Sequence, residues 1–446
     1  MVAVSVIVPT HNSIKYIQEC MDSILRQTLK DIEIICIDSS VDGTTEILYN
    51  YQKNDKRVKV VIDENSSYGY KLNLGIRYAK GSYVAIVESD DFIADNMLEG
   101  LYEATVKGKL DFVKANYEGF IDTKYKRVFC HSERVEEKHY NRIIDLKRET
   151  EMKPFVGYNI WTGIYKTDFL KRKGICFHES KGASYQDIGF SCLVAMMAGK
   201  ICFLKECYYK YRMDNDCSSV KSDEKYKCIS LEFSWLKCQM KKLGCDIEVN
   251  NSLYEISKLT SYYWNYTRLS KKYQRKFLEH TINIECFYEN KSCCHMPIEE
   301  HIMKIFRGDI NSIEKEEERK KDRINCYKYL WNIFHNFNSI VLVCYGMYGQ
   351  AVHRFMDLTE SSASITICDN YLKEKGMEII DVETAVETNP ESFYIIANKR
   401  HGEEIKYQIE NLGINKKNIY ICNNIAIGID LLEEFGRYRK YLVTAQ

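Results

Sequence analysis

The stretch YVAIVESDD at residues 83–91 joins an apolar run directly to two adjacent carboxylates. Residues 83–87 have the composition of a buried strand, and Asp90 and Asp91 follow almost at once. Like charges repel each other and resist burial, so this doublet is unfavourable for folding alone. A hard divalent cation, Mg²⁺ or Mn²⁺, would remove the conflict because it prefers oxygen ligands. An exposed turn capped by Asp is the other explanation, and the doublet alone does not decide between them.

The preceding residues alternate between strand and helix patterns. Apolar strand runs occupy 4–8, 32–37 and 58–62, and helical spacing of apolar residues occupies 16–25, 44–52 and 71–79. Alternation at these lengths predicts an α/β fold with a mostly parallel sheet covered by helices on both faces. In such sheets ligands bind beyond the carboxyl ends of the strands, so the polar residues after each run are the candidates for a site.

Those polar residues suit a nucleotide diphosphate. Asp38 ends the second run, where its carboxylate can accept from a base or ribose. Lys71 follows a loop containing Gly69, and it can offer charge to a phosphate or a hydrogen bond to a base. Together with Asp90 and Asp91, the strand ends supply acceptors, a cation and a metal site. A metal there would neutralise charge on a departing diphosphate.

Four segments resemble family 2 glycosyltransferases with the GT-A fold. They are VSVIVPTHN (4–12), EIICIDSSVDGT (33–44), YGYKLNLGIRYAKGSYVAIVESDD (68–91) and YQDIGF (185–190). The resemblance covers roughly residues 1–220. It implies an inverting glycosyltransferase that moves a sugar from a nucleotide-diphosphate sugar, with UDP favoured, to a glycan or lipid-linked saccharide in cell-surface polysaccharide synthesis.

The resemblance also implies site residues. The nucleotide-sugar set is Pro9, Thr10, Asp38, Lys71, Glu88 and Asp90, and Asp91 is the ligand of Mn²⁺ or Mg²⁺. The sequence departs from the family pattern in three places. Glu88 stands where Asp is commoner, the loop 38–44 is one residue shorter than usual, and Ile14 replaces a frequent Glu. The shorter loop leaves the choice of base open.

The acceptor side rests on later residues. Asp187 opens an apolar helix and resembles the family's general base, although Asp is also common in the first turn of a helix. Trp161 resembles a residue that supports the acceptor sugar, with core packing as the alternative. The Y-x-Y-R segment at 209–212 resembles a family segment that precedes a polar loop. This resemblance implies that the loop folds over the diphosphate, with Arg212 or Lys221 contacting it. The alternative is that the loop is plain protein surface.

Three domains are predicted: a GT-A domain at 1–221, a mainly helical region at 222–337 and a small Rossmann-like domain at 338–446. The last contains Cys344-x-Gly346-x-x-Gly349 after a strand, with Asp369 beyond, which is a dinucleotide fingerprint whose first Gly is Cys. It resembles small modules attached to bacterial sugar-modifying enzymes. A scaffold or homo-oligomerisation role is expected, with binding of a small ligand as the alternative.

Composition narrows the remaining classes of function. Lys+Arg and Asp+Glu both total 63, which gives no electrostatic case for binding nucleic acid. Several of the 18 Cys lie inside apolar runs, and Cys293-Cys294-His295 lacks a second ligand pair for zinc. With no signal peptide or transmembrane run, the expected location is the cytoplasm, free or at the inner face of the membrane. A catalytically degenerate glycan- or partner-binding protein and a nucleotide-dependent enzyme acting through the C-terminal domain are the competing hypotheses.

Overall fold

A computed structural model describes residues 2–216, 222–284, 302, 304–306, 308–370, 372 and 378–443. The chain divides into two compact units, Met1–Glu118 with Ser132–Ile310 and Gly119–His131 with Asn311–Gln446. The three-domain division with boundaries at 221 and 337 stays a prediction. Four residues considered above lie outside the described part of the chain, namely Lys221, Cys293, Cys294 and His295.

The larger sheet has ten strands among the described residues. They are β1 (Val4–Thr10), β2 (Ile32–Asp38), β3 (Val58–Ile62), β4 (Tyr83–Ile86), β5 (Phe92–Ile93), β6 (Phe112–Asp122), β7 (Arg127–His131), β8 (Ile143–Asp145), β9 (Gly163–Lys166) and β10 (Lys200–Arg212). Their order is β3-β2-β1-β4-β9-β6-β10-β5, with β7 beside β6 and β8 beside β10.

The first four strands of this sheet are parallel, and every residue of β1 is buried. Beyond β4 the pairing changes, because β9 runs antiparallel to β4 and β6, and β10 runs antiparallel to β5 and β8. The α/β fold class is therefore confirmed, with a mixed sheet whose parallel part is the block predicted from the sequence. The second half of β10 pairs with β5 and brings residues 209–212 beside the Asp90-Asp91 turn.

Helices cover the sheet and continue into a helical region. They are α1 (Ile17–Leu25), α2 (Thr44–Asn54), α3 (Tyr68–Tyr78), α4 (Met97–Gly108), α5 (Thr167–Lys173), α6 (Gln186–Met197), α7 (Cys228–Lys242), α8 (Glu248–Arg268) and α9 (Lys271–Ile284). Helix α6 is buried along most of its length, as its nearly uninterrupted apolar sequence requires. The predicted helical middle of the chain is confirmed.

The second unit contains a five-stranded, wholly parallel sheet. Its elements are α10 (Ile310–Asn336), β11 (Ser339–Val343), α11 (Met347–Leu358), β12 (Ser364–Cys368), β13 (Ile379–Ile380), α12 (Val382–Thr388), β14 (Phe393–Ile396), α13 (Gly402–Asn411), β15 (Ile419–Ile421) and α14 (Ile429–Val443). The strand order β13-β12-β11-β14-β15 is the open parallel arrangement expected of a Rossmann-like domain.

The loop between β11 and α11 keeps the turn of a dinucleotide fingerprint although its first Gly is Cys. Cys344 adopts the left-handed conformation, with φ of 69°. A Cβ on Gly349 would lie 2.2 Å from the Cys344 carbonyl oxygen, so the approach of helix to turn requires Gly there. The Tyr345 amide donates to Asp369 Oδ2 at 2.9 Å, which joins the turn to the end of β12.

Among the residues that the structure describes, we find no helix with the length and apolar character needed to cross a membrane.

Candidate active site

The ends of β1 and β2 lie side by side at the edge where the sequence predicts a ligand. Thr10 pairs with Asp38 in the register of the two parallel strands, and Pro9 is buried beside Thr10 in β1. The Lys71 ammonium, from α3, donates to the Thr10 carbonyl oxygen and to Ser39 Oγ, both at 2.6 Å. The fold thus brings together four of the residues predicted for the nucleotide.

Lys71 serves first to hold these strand ends together. Its side chain is buried, and the burial lowers the pKa of Lys71 to about 8, although the Asp38 and Asp63 carboxylates act in the opposite direction. Two of its three ammonium protons are directed at Thr10 and Ser39. A contact between Lys71 and a phosphate or a base stays a prediction.

The Asp38 carboxylate organises the loop that follows β2. It is fully buried, and Oδ1 accepts from the Ser40 amide at 3.1 Å and from the Ser40 hydroxyl at 2.6 Å. Its Oδ2 accepts from the Thr45 hydroxyl at 2.6 Å. Such local bonds stabilise a turn in place of regular structure, so Asp38 fixes the short loop in one conformation. Direct recognition of a base by Asp38 stays a prediction.

The two carboxylates of the Asp90-Asp91 turn have different environments. Asp91 is 1% exposed; Oδ2 accepts from the Tyr209 hydroxyl at 2.8 Å and Oδ1 from the Arg212 amide at 2.7 Å. Asp90 is half-buried and accepts from Asn215 Nδ2 at 2.7 Å. Both partners of Asp91 belong to β10, so this carboxylate attaches the turn to the sheet, whereas Asp90 is the one that solvent reaches.

Glu88 lies in the same turn and is held by two tyrosines. The Tyr68 hydroxyl donates to Glu88 Oε1, and the Glu88 amide donates to the Tyr209 oxygen at 3.0 Å. Burial raises the pKa of Glu88 to about 8, opposed by the bond from Tyr68, and the charges of Asp90 and Asp187 raise it further. Asp187 is therefore close enough to the turn for the two carboxylates to repel each other.

This group of carboxylates fits a divalent cation that substrate phosphates also bind. Burial raises the pKa of Asp90 and, together with the charge of Asp90, that of Asp91. Within the described residues, no group of three or more His, Cys, Asp or Glu side chains is arranged to hold a metal by itself. Mg²⁺ and Mn²⁺ sites commonly use one or two carboxylates completed by phosphate and water, which is what Asp90 offers.

Arg212 places a positive charge beside the turn. It is 6% exposed, and its Nε donates to the Asp90 carbonyl oxygen at 2.9 Å. Its Nη2 lies 2.8 Å from Glu19 Oε2 and its Nη1 3.4 Å from Asp214 Oδ1. These contacts orient the backbone of the turn. The predicted contact of Arg212 with a diphosphate stays a prediction.

Asp187 lies in the first turn of α6, where the sequence places it. The preceding Tyr185 has φ of 67°, and Asp187 Oδ1 accepts from the Ile188 amide at 3.0 Å. Burial raises the pKa of Asp187 to about 7, and the charge of Glu232 acts in the same direction, while Lys114 opposes it. A carboxylate that gains a proton near neutral pH has the property expected of a general base.

Trp161 belongs to an aromatic cluster. Its ring stacks on Tyr209 at 4.3 Å and on Tyr211 at 5.0 Å between centroids, and it meets Tyr117 edge-on at 4.8 Å. Only 7% of Trp161 is exposed. Trp161 therefore packs against β10 and supports this strand, whose Tyr209 donates to Asp91. A contact between Trp161 and the acceptor sugar stays a prediction.

Sequence reasoning missed several residues that shape the site. Tyr68 and Tyr209 hold the carboxylate turn, Asn215 binds Asp90, and Glu232 acts on Asp187 from α7. The Y-x-Y-R segment was a usable signal for Tyr209. Glu232 lies in the helical region more than forty residues beyond Asp187, and nothing in the sequence connects the two.

The chain matches the family model "Glycosyl transferase family 2" over residues 5–163. It is 33% identical to the glycosyltransferase GlyG of Streptococcus pneumoniae over 216 residues, which are 47% of this chain and 70% of GlyG. It is 32% identical to the uncharacterized glycosyltransferase EpsJ of Bacillus subtilis, again over 47% of this chain, but that match spans only 60% of EpsJ.

Solved structures resemble the chain over a longer stretch. S. aureus TarS 1–349 superposes with a TM-score of 0.53 at 20% identity, covering 72% of this chain and 91% of that one. TarS 1–349 in complex with UDP-GlcNAc gives a TM-score of 0.54 at 19% identity, covering 72% and 92%. At this level of identity the likeness shows the fold alone.

Proposed function

Because this chain belongs to glycosyl transferase family 2, we propose that it is an inverting enzyme using a nucleotide-diphosphate sugar. The acceptor in this proposal is a hydroxyl of a glycan or lipid-linked saccharide in cell-surface polysaccharide synthesis. One observation carries the proposal: the half-buried carboxylate of Asp187, in the first turn of α6, lies close enough to the turn of Glu88 and Asp90 for its charge to raise the pKa of Glu88. In this proposal a proton acceptor and a cation-binding turn share one site.

The divalent cation, Mn²⁺ or Mg²⁺, is assigned to the Asp90-Asp91 turn. The family resemblance implies Asp91 as the ligand, but both oxygens of Asp91 accept bonds from β10 and only 1% of the residue is exposed. We therefore place Asp90 as the direct ligand and Asp91 as the residue that fixes the turn. When bound, the cation stabilises negative charge on the leaving diphosphate.

Asp187 is proposed to receive the proton of the acceptor hydroxyl. As that oxygen forms its bond to the anomeric carbon, the bond to the nucleotide diphosphate breaks on the opposite face, and its electron pair leaves with the diphosphate. A single displacement of this kind inverts the anomeric configuration. The raised pKa of Asp187 suits the role, because a base near the working pH is both largely ionised and strong enough to take the proton.

The donor is proposed to lie along the carboxyl edge of β1 and β2, against Pro9, Thr10 and the loop that Asp38 organises. UDP is favoured as the nucleotide, a choice supported by the complex of the structurally similar TarS with UDP-GlcNAc. Lys71 and Glu88 border the same edge, and we assign them to the diphosphate and the ribose respectively. Trp161 is assigned to the support of β10 and, through it, of the acceptor side.

The test begins with binding. UDP-, GDP- and TDP-sugars are added with Mn²⁺, and the melting temperature is measured, since a ligand stabilises the native state by RT ln(1 + [L]/Kd). The stabilising donor is then incubated with saccharide acceptors, and released nucleotide and the anomeric configuration of the product are determined. Inversion and metal-dependent release support the proposal. Donor binding without transfer to any acceptor and without hydrolysis would instead favour a binding-only protein.

Asp90→Asn is the informative variant, and Asp95→Asn is its matched control, because Asp95 is an exposed Asp in the same segment that pairs with Arg26. Loss of one carboxylate ligand should raise the Mn²⁺ concentration needed for half-maximal activity in Asp90→Asn alone. If both variants keep the metal dependence of the unmodified protein, Asp90 is not the ligand.

A further inference from the structure

A buried acidic residue from the helical region lies against the helix that carries Asp187. Glu232, on α7, is 1% exposed. Its Oε2 is bonded to His178 Nδ1 at 2.8 Å, whereas its buried Oε1 makes no hydrogen bond of normal geometry, although the Gly189 amide of α6 acts on the carboxylate and lowers its pKa. Burying an incompletely satisfied carboxylate is costly, so its position calls for an explanation beyond packing.

Gly189 is what allows this approach. A Cβ at Gly189 would lie 2.2 Å from Glu232 Oε1 and 2.7 Å from the Trp235 ring. Gly189 is two residues after Asp187 in α6, so Oε1 of Glu232 faces the first turn of the helix that holds the proposed base. The carboxylate therefore contacts the helix backbone directly, without an intervening side chain.

His178 fixes Glu232 from the other side. Its ring stacks on Trp235 at 5.1 Å with an interplanar angle of 8°, and its Nδ1 points to Glu232. The neighbouring Phe177 stacks on Phe190 of α6 at 4.0 Å, and its amide donates to Asn73 Oδ1 at 2.9 Å. The His178 loop, α6 and α7 thus form one packed group in which neither partner of the pair is free to turn away.

We propose that Glu232, held by His178, is a positioning residue that sets the proton affinity of the general base Asp187. The inference rests on the proposed function, because it assumes that Asp187 is the base. Glu232 touches no reacting atom in this scheme. Burial raises the pKa of Glu232 itself, but the bond to His178 favours its ionised form. In that form Glu232 is a negative charge at the first turn of α6, so that Asp187 keeps its proton to a higher pH and becomes a stronger base once ionised.

Other charged and titratable groups also act on Asp187 and set the background for this effect. From β6, buried Lys114 favours its ionised form. Glu88, in the Asp90-Asp91 turn, and Tyr68, in α3, also lie near Asp187, because the Asp187 charge raises the pKa of both. Among the charges that act on Asp187, that of Glu232 raises its pKa the most, and only burial raises it more.

Glu232→Gln tests the proposal, because Gln keeps the shape and removes the charge. In transferase assays the acidic limb of the pH profile of kcat/KM should move down by about one pH unit, the effect expected from loss of one nearby like charge. The KM for the nucleotide sugar should stay the same. Glu224→Gln is the matched control, since Glu224 is an exposed Glu just before α7, and its acidic limb should not move.

A second variant removes only the partner of Glu232. His178→Ala takes away the bond that favours ionised Glu232, so the limb should move in the same direction but by less. A merely structural role predicts lower activity and stability in both variants with the limb unmoved. An unmoved limb in folded Glu232→Gln overturns the proposal.

The Asp187 carboxyl titration, followed by NMR of ¹³C-labelled aspartate and assigned with Asp187→Asn, separates this inference from the proposed function. If no acceptor supports transfer but Glu232→Gln lowers the midpoint of this titration, the coupling stands and the transferase proposal fails. If transfer occurs and the midpoint does not change, the transferase proposal stands and the coupling fails.

Discussion

In the unmodified protein, ionisation of Asp187 with rising pH should increase activity and decrease stability. Replacing Asp187 by Asn should remove both effects. Asn keeps the size of the side chain and can neither ionise nor accept the proton of the acceptor. Loss of a general base costs about 10²–10⁴-fold in rate. In the unmodified protein, kcat/KM should rise with pH and level off above about 7, because the base is active only when ionised and burial raises the pKa of Asp187 to about 7.

The effect on stability follows from the same pKa. In the unfolded chain Asp187 loses its proton near pH 4, whereas the folded protein retains it until about pH 7. Between these values the folded state binds the extra proton, so its free energy of unfolding falls as pH rises. Between pH 5 and pH 7 the loss amounts to about 3 kcal/mol, since each pH unit corresponds to about 1.36 kcal/mol. The half-buried position of Asp187 makes this an upper value.

The assay compares the unmodified protein and Asp187→Asn at pH 5 and pH 8 by thermal or denaturant unfolding. The variant cannot undergo this loss, so its stability relative to the unmodified protein should increase by up to about 3 kcal/mol between the two pH values. Asp168→Asn is the matched control. Asp168 also lies in the first turn of a helix, but it is exposed and pairs with Arg172 at 2.7 Å, so no such difference is expected.

Two results would refute the reasoning separately. Activity of Asp187→Asn within threefold of the unmodified protein would show that another group takes the proton. A difference in unfolding free energy that is the same at pH 5 and pH 8 would show that the folded protein does not hold Asp187 protonated near neutral pH. Either result can occur without the other.

Three further changes test other parts of the structure. Asp91→Asn should destabilise the first unit by about 1–3 kcal/mol in denaturant unfolding. The NH₂ group of the Asn would meet another donor, either the Tyr209 hydroxyl or the Arg212 amide. Asp90→Asn should leave stability nearly unchanged. Trp161→Ala should cost about 3–5 kcal/mol in the same measurement, because the ring packs against Tyr209 and Tyr211; an acceptor contact without packing would instead raise only the acceptor KM. Cys344→Gly should raise the melting temperature of the second unit by relieving roughly 1 kcal/mol of left-handed strain, and a fall would show that the thiol contributes more through packing.

The sequence predicts well which residues meet at the carboxyl edge of β1 and β2, because local rules determine this meeting. Thr10, Asp38 and Lys71 each lie next to the carboxyl end of a parallel strand, so the α/β pattern alone brings them together. The antiparallel part of the sheet cannot be predicted from such local rules. The pairing of β9 with β4, and of β10 with β5, is decided by contacts between segments far apart in the chain, which periodicity does not encode.

The roles within the Asp90-Asp91 doublet show why adjacent identical residues cannot be told apart without the fold. Asp90 and Asp91 lie in the turn between β4 and β5, where the alternation of side chains along a strand does not apply, so the sequence does not say which of them faces the ligand. Which one does so depends on β10, about 120 residues later in the chain, whose Tyr209 hydroxyl and Arg212 amide bind Asp91. Asp90 is left on the open side, where Asn215 holds it. A buried carboxylate with two donors and an accessible one with a single donor differ in what a cation can reach, and this difference, not the order of the residues, supports assigning the metal to Asp90.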